Sequence, residues 1–366
     1  MRSWIQGIIL NLFTAGGNPG GSMNIGIKWA ESGHIPEVPM RWGMRRLLKK
    51  RLKKESSGGE KRKESVLKTF LEAPVAINTD KANEQHYALP PEFMETVLGR
   101  RLKYSSGYWP QGVKTLDDAE DAALELVASR ATLEDGMQIL ELGCGWGAFS
   151  LWAAERYPNA SLVAASNSAS QRKYIEEKAA KKKITNIRVI TADINTFTIE
   201  ETFDRIVTIE MLEHVRNHAR IFQRIADWLK PDGQLFVHVF SHHTYAYPFE
   251  VDGDKDWMAR YFFSGGIMPS HDLFRNYSQD LQIKKDWQLS GIHYQKTLDA
   301  WLRKQEAAKP KVLEIFKNTY GPDNAEIWFH RWRMFFMACS ELFGYAGGKE
   351  WGVSHYLFEK NPLLRK

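Results

Sequence analysis

Cysteine is scarce in this chain: Cys144 and Cys339 are the only two in 366 residues. Two thiols so far apart in sequence argue against a disulfide framework and a thiolate zinc site, and they fit a reducing, cytoplasmic compartment. Long apolar runs are also missing. WIQGIILNLF, residues 4–13, is short for a spanning helix, and the GGNPGGS that follows shows no small-residue cleavage pattern. Residues 1–22 are therefore expected to be disordered rather than a working signal peptide. A Gly-Lys-Ser/Thr turn is absent as well, which excludes a P-loop.

What is present is organised around MQILELGCGWGAFSLWAA, Met137 to Ala154. It reads as a buried strand, a tight glycine turn and a helix whose free amides face that turn. Glycine is needed there because a side chain would hold the backbone away from a ligand. From Gln138 onward strands and helices alternate. QILELG, SLVAASN, IRVITAD, FDRIVTIE and QLFVHVF read as five strands. Thr115 with Asp118, and Ser168 with Gln171, have the spacing of helix starts, and Lys230-Pro231-Asp232-Gly233 stops the helix before the fifth strand. This alternation implies an α/β fold with a doubly wound parallel sheet covered on both faces.

After Ser241 the alternation stops. HHTYAYPFE and DWMARYFFSGGIMPS read as ring-rich insertions, and LDAWLRKQEAAKPKVLEIFK and AEIWFHRWRMFFMACSELFGYA as helices. They are expected to form an aromatic-rich cap over the carboxyl ends of the strands, where ligands bind in open α/β sheets. Before the core, residues 24–54 carry a helical pattern broken at Pro36 and Pro39, and ESSGGEKRKES reads as a mobile linker. The expected division is a disordered 1–22, a helical segment over 23–90, and one domain over 91–366. The net charge of +6 is concentrated between Arg41 and Lys63. A solvated basic helix is the simpler reading of it, and a peripheral contact of Arg41–Lys54 with anionic lipid is the sharper one; no nucleic-acid partner is expected.

The glycine turn alone does not name a ligand. A dinucleotide site places an acid about 20 residues past the first glycine. Here no acid stands between Arg156 and Tyr174. Asn167 and Gln171 offer hydrogen bonds to a ribose instead. Asp193 reads either as a strand-end turn residue or as an acceptor for an adenine amino group, and Glu141 has the same two readings.

Together, ELGCGWG, SNSASQ and TADI resemble the S-adenosylmethionine (SAM)-dependent methyltransferases. KYSSGYW (Lys103–Trp109), IEMLEHV (Ile209–Val215) and YFFSGGIMPS narrow this to a resemblance to the cyclopropane-fatty-acid synthase superfamily. HHTYAYPFEVDGDKDWMARYFF is most similar to its coclaurine N-methyltransferase branch. The resemblance spans roughly residues 90–358. It implies a Rossmann-like class I core. In it Tyr104 and Ser105 close over SAM, and Gly143, Asn167, Gln171, Asp193 and Ile194 bind the cofactor, with Glu141 and Gly145 in the same turn.

Glu210, Glu213 and His214 stand at the end of the fourth strand and the turn after it. Beside a sulfonium they would hold an ammonium substrate and take its proton, a role the resemblance assigns to these positions. The lipid-acting members of the superfamily bind bicarbonate through a loop cysteine, the acid of the LEH motif, a strand histidine and a C-terminal tyrosine. Here Ser106 stands at the loop position and Phe335 is taken as the C-terminal one, with Glu213 and His238 retained. Two missing polar contacts put the synthase chemistry in doubt. His238 reads as a satisfied strand histidine or a pocket residue; His242, Tyr245 and Tyr247 are expected to line the acceptor pocket. No metal is expected, since no fourth ligand can be named for the histidines.

The resulting expectation is N-methylation of a small aromatic amine, held by cation–π contact and by Glu210. Its rivals are C-methylation of an unsaturated acyl chain at a membrane surface and a non-catalytic basic binding module with a vestigial SAM site. A homodimer is a further open expectation.

Overall fold

The computed structural model describes residues 25–77, 89–249, 257–262 and 265–362. The expectation for residues 1–22 lies outside these. Five parallel strands carry the core: β1 (Gln138–Leu142), β2 (Ser161–Ser166), β3 (Ile187–Thr191), β4 (Phe203–Ile209) and β5 (Leu229–His242). Before them come α1 (Ile25–Glu31), α2 (Glu37–Ser56), α3 (Gly59–Glu72), α4 (Pro91–Val97) and α5 (Leu116–Arg130). Between them run α6 (Ala148–Arg156), α7 (Ala169–Lys182) and α8 (His218–Trp228). After β5 a two-stranded ribbon, β6 (Tyr247–Pro248) and β7 (Ile267–Met268), flanks the short α9 (Trp257–Tyr261). The chain then runs through β8 (Leu281–Ser290), α10 (Gly291–Ala307), α11 (Lys309–Tyr320), α12 (Ala325–Gly344) and β9 (Trp351–Lys360).

The sheet order is β3-β2-β1-β4-β5-β9-β8. Its direction reverses between β1 and β4, and a crevice opens there beyond the carboxyl ends of the strands. Both capping readings hold: the Thr115 hydroxyl accepts from the Asp118 amide at 3.2 Å, and Ser168 accepts from the Gln171 amide at 3.4 Å.

Three expectations are corrected. The segment after Ser241 is not helices alone, because β8 and β9 extend the sheet in antiparallel pairing. ESSGGEKRKES is not a linker: α2 runs to Ser56 and α3 starts at Gly59, with the buried Glu55 carboxylate held by Arg51 at 3.1 Å and by Arg62 at 2.6 Å. Pro36 does cap α2, but Pro39 lies within its first turn, where a missing N–H costs no helical hydrogen bond.

The basic helix α2 is in part a clamp on the cap. Arg41 reaches Asp299 at 3.3 Å and Glu341 at 3.1 Å, and Arg45 also pairs with Glu341. Its second and third turns are thereby tied to α10 and α12. Among the described residues, no helix is long and apolar enough to cross a membrane.

Candidate active site

The crevice is lined from four directions: the glycine turn after β1, the loop before α5, the turn after β4, and the cap. The turn uses its glycines physically. Gly143 has φ +82°, and a Cβ there would lie 2.7 Å from the Met211 side chain. Gly145 has φ +51° and also faces the cavity with bare backbone. Beside them Glu141 is buried and accepts from the Ser150 hydroxyl; burial pushes its carboxyl up to about 7. Asn167 and Gln171 line the same wall. Gln171 Oε1 accepts from the Ser166 hydroxyl at 2.7 Å, and its amide nitrogen is the group that can donate to a ligand.

The KYSSGYW loop crosses the crevice. Lys103 is buried, and its Nζ donates to Ser105 Oγ at 2.6 Å and to the Ser106 carbonyl at 2.7 Å. Burial brings its ammonium down to about 8, opposed by the charges of Glu210, Glu120 and Glu141. Tyr104 and Ser105 line the cavity, with the Tyr104 ring stacked on Trp301 at 5.6 Å.

Glu210 is the centre of the polar cluster. It follows β4 with φ +50°, a left-handed conformation unusual for a residue with a side chain, and its N–H donates to the His238 carbonyl at 2.8 Å. Its carboxylate accepts from the Ser106 N–H at 3.0 Å and from the Tyr294 hydroxyl at 2.6 Å, and it lies 3.2 Å from His238 Nε2. Burial raises its pKa, while Lys103, Tyr294, Ser106 and His214 oppose the rise. His214 also lines the cavity; burial lowers its imidazole to about 4, and Glu210 pulls the other way.

The other proposed residues fall elsewhere. Glu213 is buried behind the wall, accepts from the Phe240 N–H at 2.7 Å, and does not face the cavity. Asp193 accepts from the Asn195 N–H at 2.7 Å; its neighbours Ala192 and Ile194, rather than Asp193 itself, line the cavity. His242, Tyr245 and Tyr247 are not among the lining residues either. His242 Nδ1 accepts from the N–H groups of Thr244 and Tyr245 at 2.8 and 2.9 Å, and the Tyr247 hydroxyl accepts from Trp351 at 3.0 Å. These contacts hold the turn after β5. His238 stands behind Glu210 rather than in the pocket.

The apolar wall comes instead from Phe240, Phe249, Met268, Phe335, Leu342 and Phe343. A tyrosine hydroxyl does reach the acid cluster, although not from the Phe335 position. Phe335 stacks on Phe262 at 4.3 Å, and Tyr294, from the first turn of α10, brings a hydroxyl to the acid cluster. Sequence patterning had no signal for Tyr294, which sits unmarked in a helical run. Among the described residues no cluster of His, Cys, Asp and Glu could hold a metal ion.

The bare glycine backbone, the Gln171 amide and the buried Glu141 make a donor and acceptor set that fits an adenosyl group with an amino-acid tail. The comparisons with known proteins agree. The profile of the mycolic acid cyclopropane synthetase family matches residues 76–347. The chain belongs to that family. It is 37% identical over 290 residues to the (S)-coclaurine N-methyltransferase of Thalictrum flavum subsp. glaucum, covering 78% of this chain and 80% of that one. The (S)-coclaurine N-methyltransferase of Papaver somniferum is 34% identical, with 90% and 96% covered. A solved structure of coclaurine N-methyltransferase bound to N-methylheliamine and S-adenosylhomocysteine (SAH) superposes with a TM-score of 0.88 at 33% identity, covering 91% of this chain and 98% of that one. Fold, family and relatives make the chain a SAM-dependent methyltransferase.

Proposed function

We propose that this methyltransferase N-methylates a benzylisoquinoline-like secondary or tertiary amine, with Glu210 as the anchor for the substrate nitrogen. The observation that carries this reading is the composition of the crevice. Beyond the glycine turn, the Glu210 carboxylate and the His214 imidazole share the crevice with the apolar rings of Phe240, Phe249, Phe335 and Phe343, which suits a cationic nitrogen on an aromatic body. The relatives named above, which act on coclaurine, support the same class.

SAM supplies an electrophilic methyl group on a sulfonium sulfur. Gly143, Gly145, Gln171 and Glu141 hold the cofactor, and Tyr104 and Ser105 close over it. Glu210 accepts a hydrogen bond from the arriving ammonium. The amine is nucleophilic only once its proton has left, and neutral His214, on the same cavity wall, is the acceptor for it. Glu213 acts indirectly, holding the backbone of Phe240 and so the aromatic wall. The rings of Phe240, Phe249, Phe335 and Phe343 exclude water and orient the acceptor for in-line attack.

The test is methyl transfer from labelled SAM to 1-benzyl-tetrahydroisoquinolines, run beside vesicles of unsaturated phospholipid. Label on the amine nitrogen supports the reading. Label in the acyl chains, with none on the amines, overturns it.

A further inference from the structure

Behind Glu210 a line of buried side chains crosses the sheet. His238 on β5 faces His355 on β9 across the antiparallel register, and His355 Nε2 lies 2.8 Å from His238 Nδ1. On the far side of His355, its Nδ1 lies 2.8 Å from Nη1 of Arg130, at the last turn of α5. The guanidinium itself sits 4.7 Å over the ring of Trp287, a residue of β8 in register with His355. Both histidines are almost fully buried, at 3% and 1% exposure, and burial keeps both neutral.

The direction of every bond in this line is fixed by its outer end. A guanidinium only donates, so His355 Nδ1 accepts. A neutral imidazole carries one proton, which must then sit on His355 Nε2 and be donated to His238 Nδ1. By the same step His238 carries its proton on Nε2 and donates it to Glu210. The line cannot work as a proton exit, because arginine offers no acceptor at its far end. We propose that Arg130, acting through His355 and His238, is a positioning residue that sets both tautomers and holds Glu210 as an ionised acceptor. Without Arg130, His355 is free to change tautomer, and His238 can then turn a lone pair towards a carboxylate oxygen.

The groups that face Glu210 are Lys103 and Ser106 from the loop before α5, His214 and the buried Glu213 from the turn after β4, Tyr294 from α10, the Cys339 thiol from α12, and His238 from β5. Facing His355 are Arg130, His238, Trp287 and the Phe236 ring at 5.1 Å, and the Lys103 ammonium acts on both histidines by charge. Of these, only the line ending at Arg130 sets the protonated nitrogen of His238.

The catalytic consequence rests on the amine-binding role of Glu210, but the tautomers do not, and the experiment reads the two separately. Long-range 1H–15N spectra of histidine-labelled protein, assigned with His238→Gln and His355→Gln, report which ring nitrogen carries the proton. The expected result is Nε2–H alone at both residues in the unaltered protein. Finding Nδ1–H at His238 overturns the proposal without any variant having to fold. In Arg130→Met a second tautomer is expected at His355. With the amine as substrate, kcat/KM is expected to fall about tenfold at neutral pH, and its acidic limb to move up by about one unit as Glu210 loses a donor. Arg130→Lys, which keeps a donor, is expected to restore most of both, and SAH affinity stays unchanged throughout. Unaltered tautomers and an unaltered pH profile in Arg130→Met would also overturn it.

Discussion

The Tyr294 hydroxyl donates to Oε2 of Glu210 at 2.6 Å, joining the first turn of α10 to the end of β4. The cap therefore contributes a hydroxyl to the acid cluster at the sheet's carboxyl edge as well as covering it. Tyr294 is held for this by its ring, stacked on Phe343 at 4.2 Å.

Tyr294→Phe keeps that stack and removes only the donor. A hydrogen bond to a charged group contributes about 1.5–3 kcal/mol, so kcat/KM for the amine should fall about 10- to 100-fold. Thermal stability should change little. Steady-state kinetics beside a melting curve check both, and an equal loss of stability and activity would point to a packing role instead.

Gly143→Ala should abolish cofactor binding before it abolishes folding. The substitution forces a side chain into φ +82° and places its Cβ 2.7 Å from Met211. Strain of that kind costs about 1–3 kcal/mol. The expected readout is a folded protein whose melting temperature no longer rises with SAH, measured by thermal shift.

Much of this turn was legible in the sequence, because a strand, a glycine turn and a helix leave a local pattern. The five parallel strands and the caps at Thr115 and Ser168 were legible for the same reason. β8 and β9 were not. The alternation of β8 is broken by a register shift between Ile283 and Lys285, and β9 is buried on both faces, so neither shows a two-residue period. At the site, KYSSGYW and IEMLEHV pointed to Tyr104, Glu210 and His214. Tyr294, Arg130 and His355 stayed hidden because tertiary pairing alone brings them there; Arg130 and His355 are 225 residues apart. His242 and Tyr247 misled for the converse reason: His242 Nδ1 is taken up by the turn after β5 and the Tyr247 hydroxyl by Trp351 of β9.

The clamp between α2 and the cap makes a stability prediction. Glu341 is buried and receives both Arg41 and Arg45. Glu341→Ala should destabilise the fold by about 1–3 kcal/mol, since Arg41 loses its buried partner. Arg45 is 61% exposed, and Arg45→Ala should cost under about 1 kcal/mol. Urea denaturation separates the two.

His218 predicts how stability depends on pH. It is fully buried among Phe70, Phe222, Phe274 and Tyr277, its Nε2 donates to the Leu212 carbonyl at 3.0 Å, and burial lowers its imidazole from 6.5 to about 4. Between those values the unfolded chain binds the extra proton and the folded one does not, so this contribution is lost as pH falls from 6.5 towards 4. The slope of unfolding free energy against pH in that window should be shallower in His218→Gln than in the unaltered protein.

In the function proposed above, the Glu210 carboxylate recruits the amine while the glycine turn independently holds the cofactor. The most direct measurement compares kcat/KM for 1-benzyl-tetrahydroisoquinoline with the SAH dissociation constant in Glu210→Gln, a substitution that keeps shape and removes charge. The expected result is a fall of 100-fold or more in the first, of order 3 kcal/mol, with the second unchanged. Full amine turnover in Glu210→Gln, or a parallel loss of SAH binding, would contradict it.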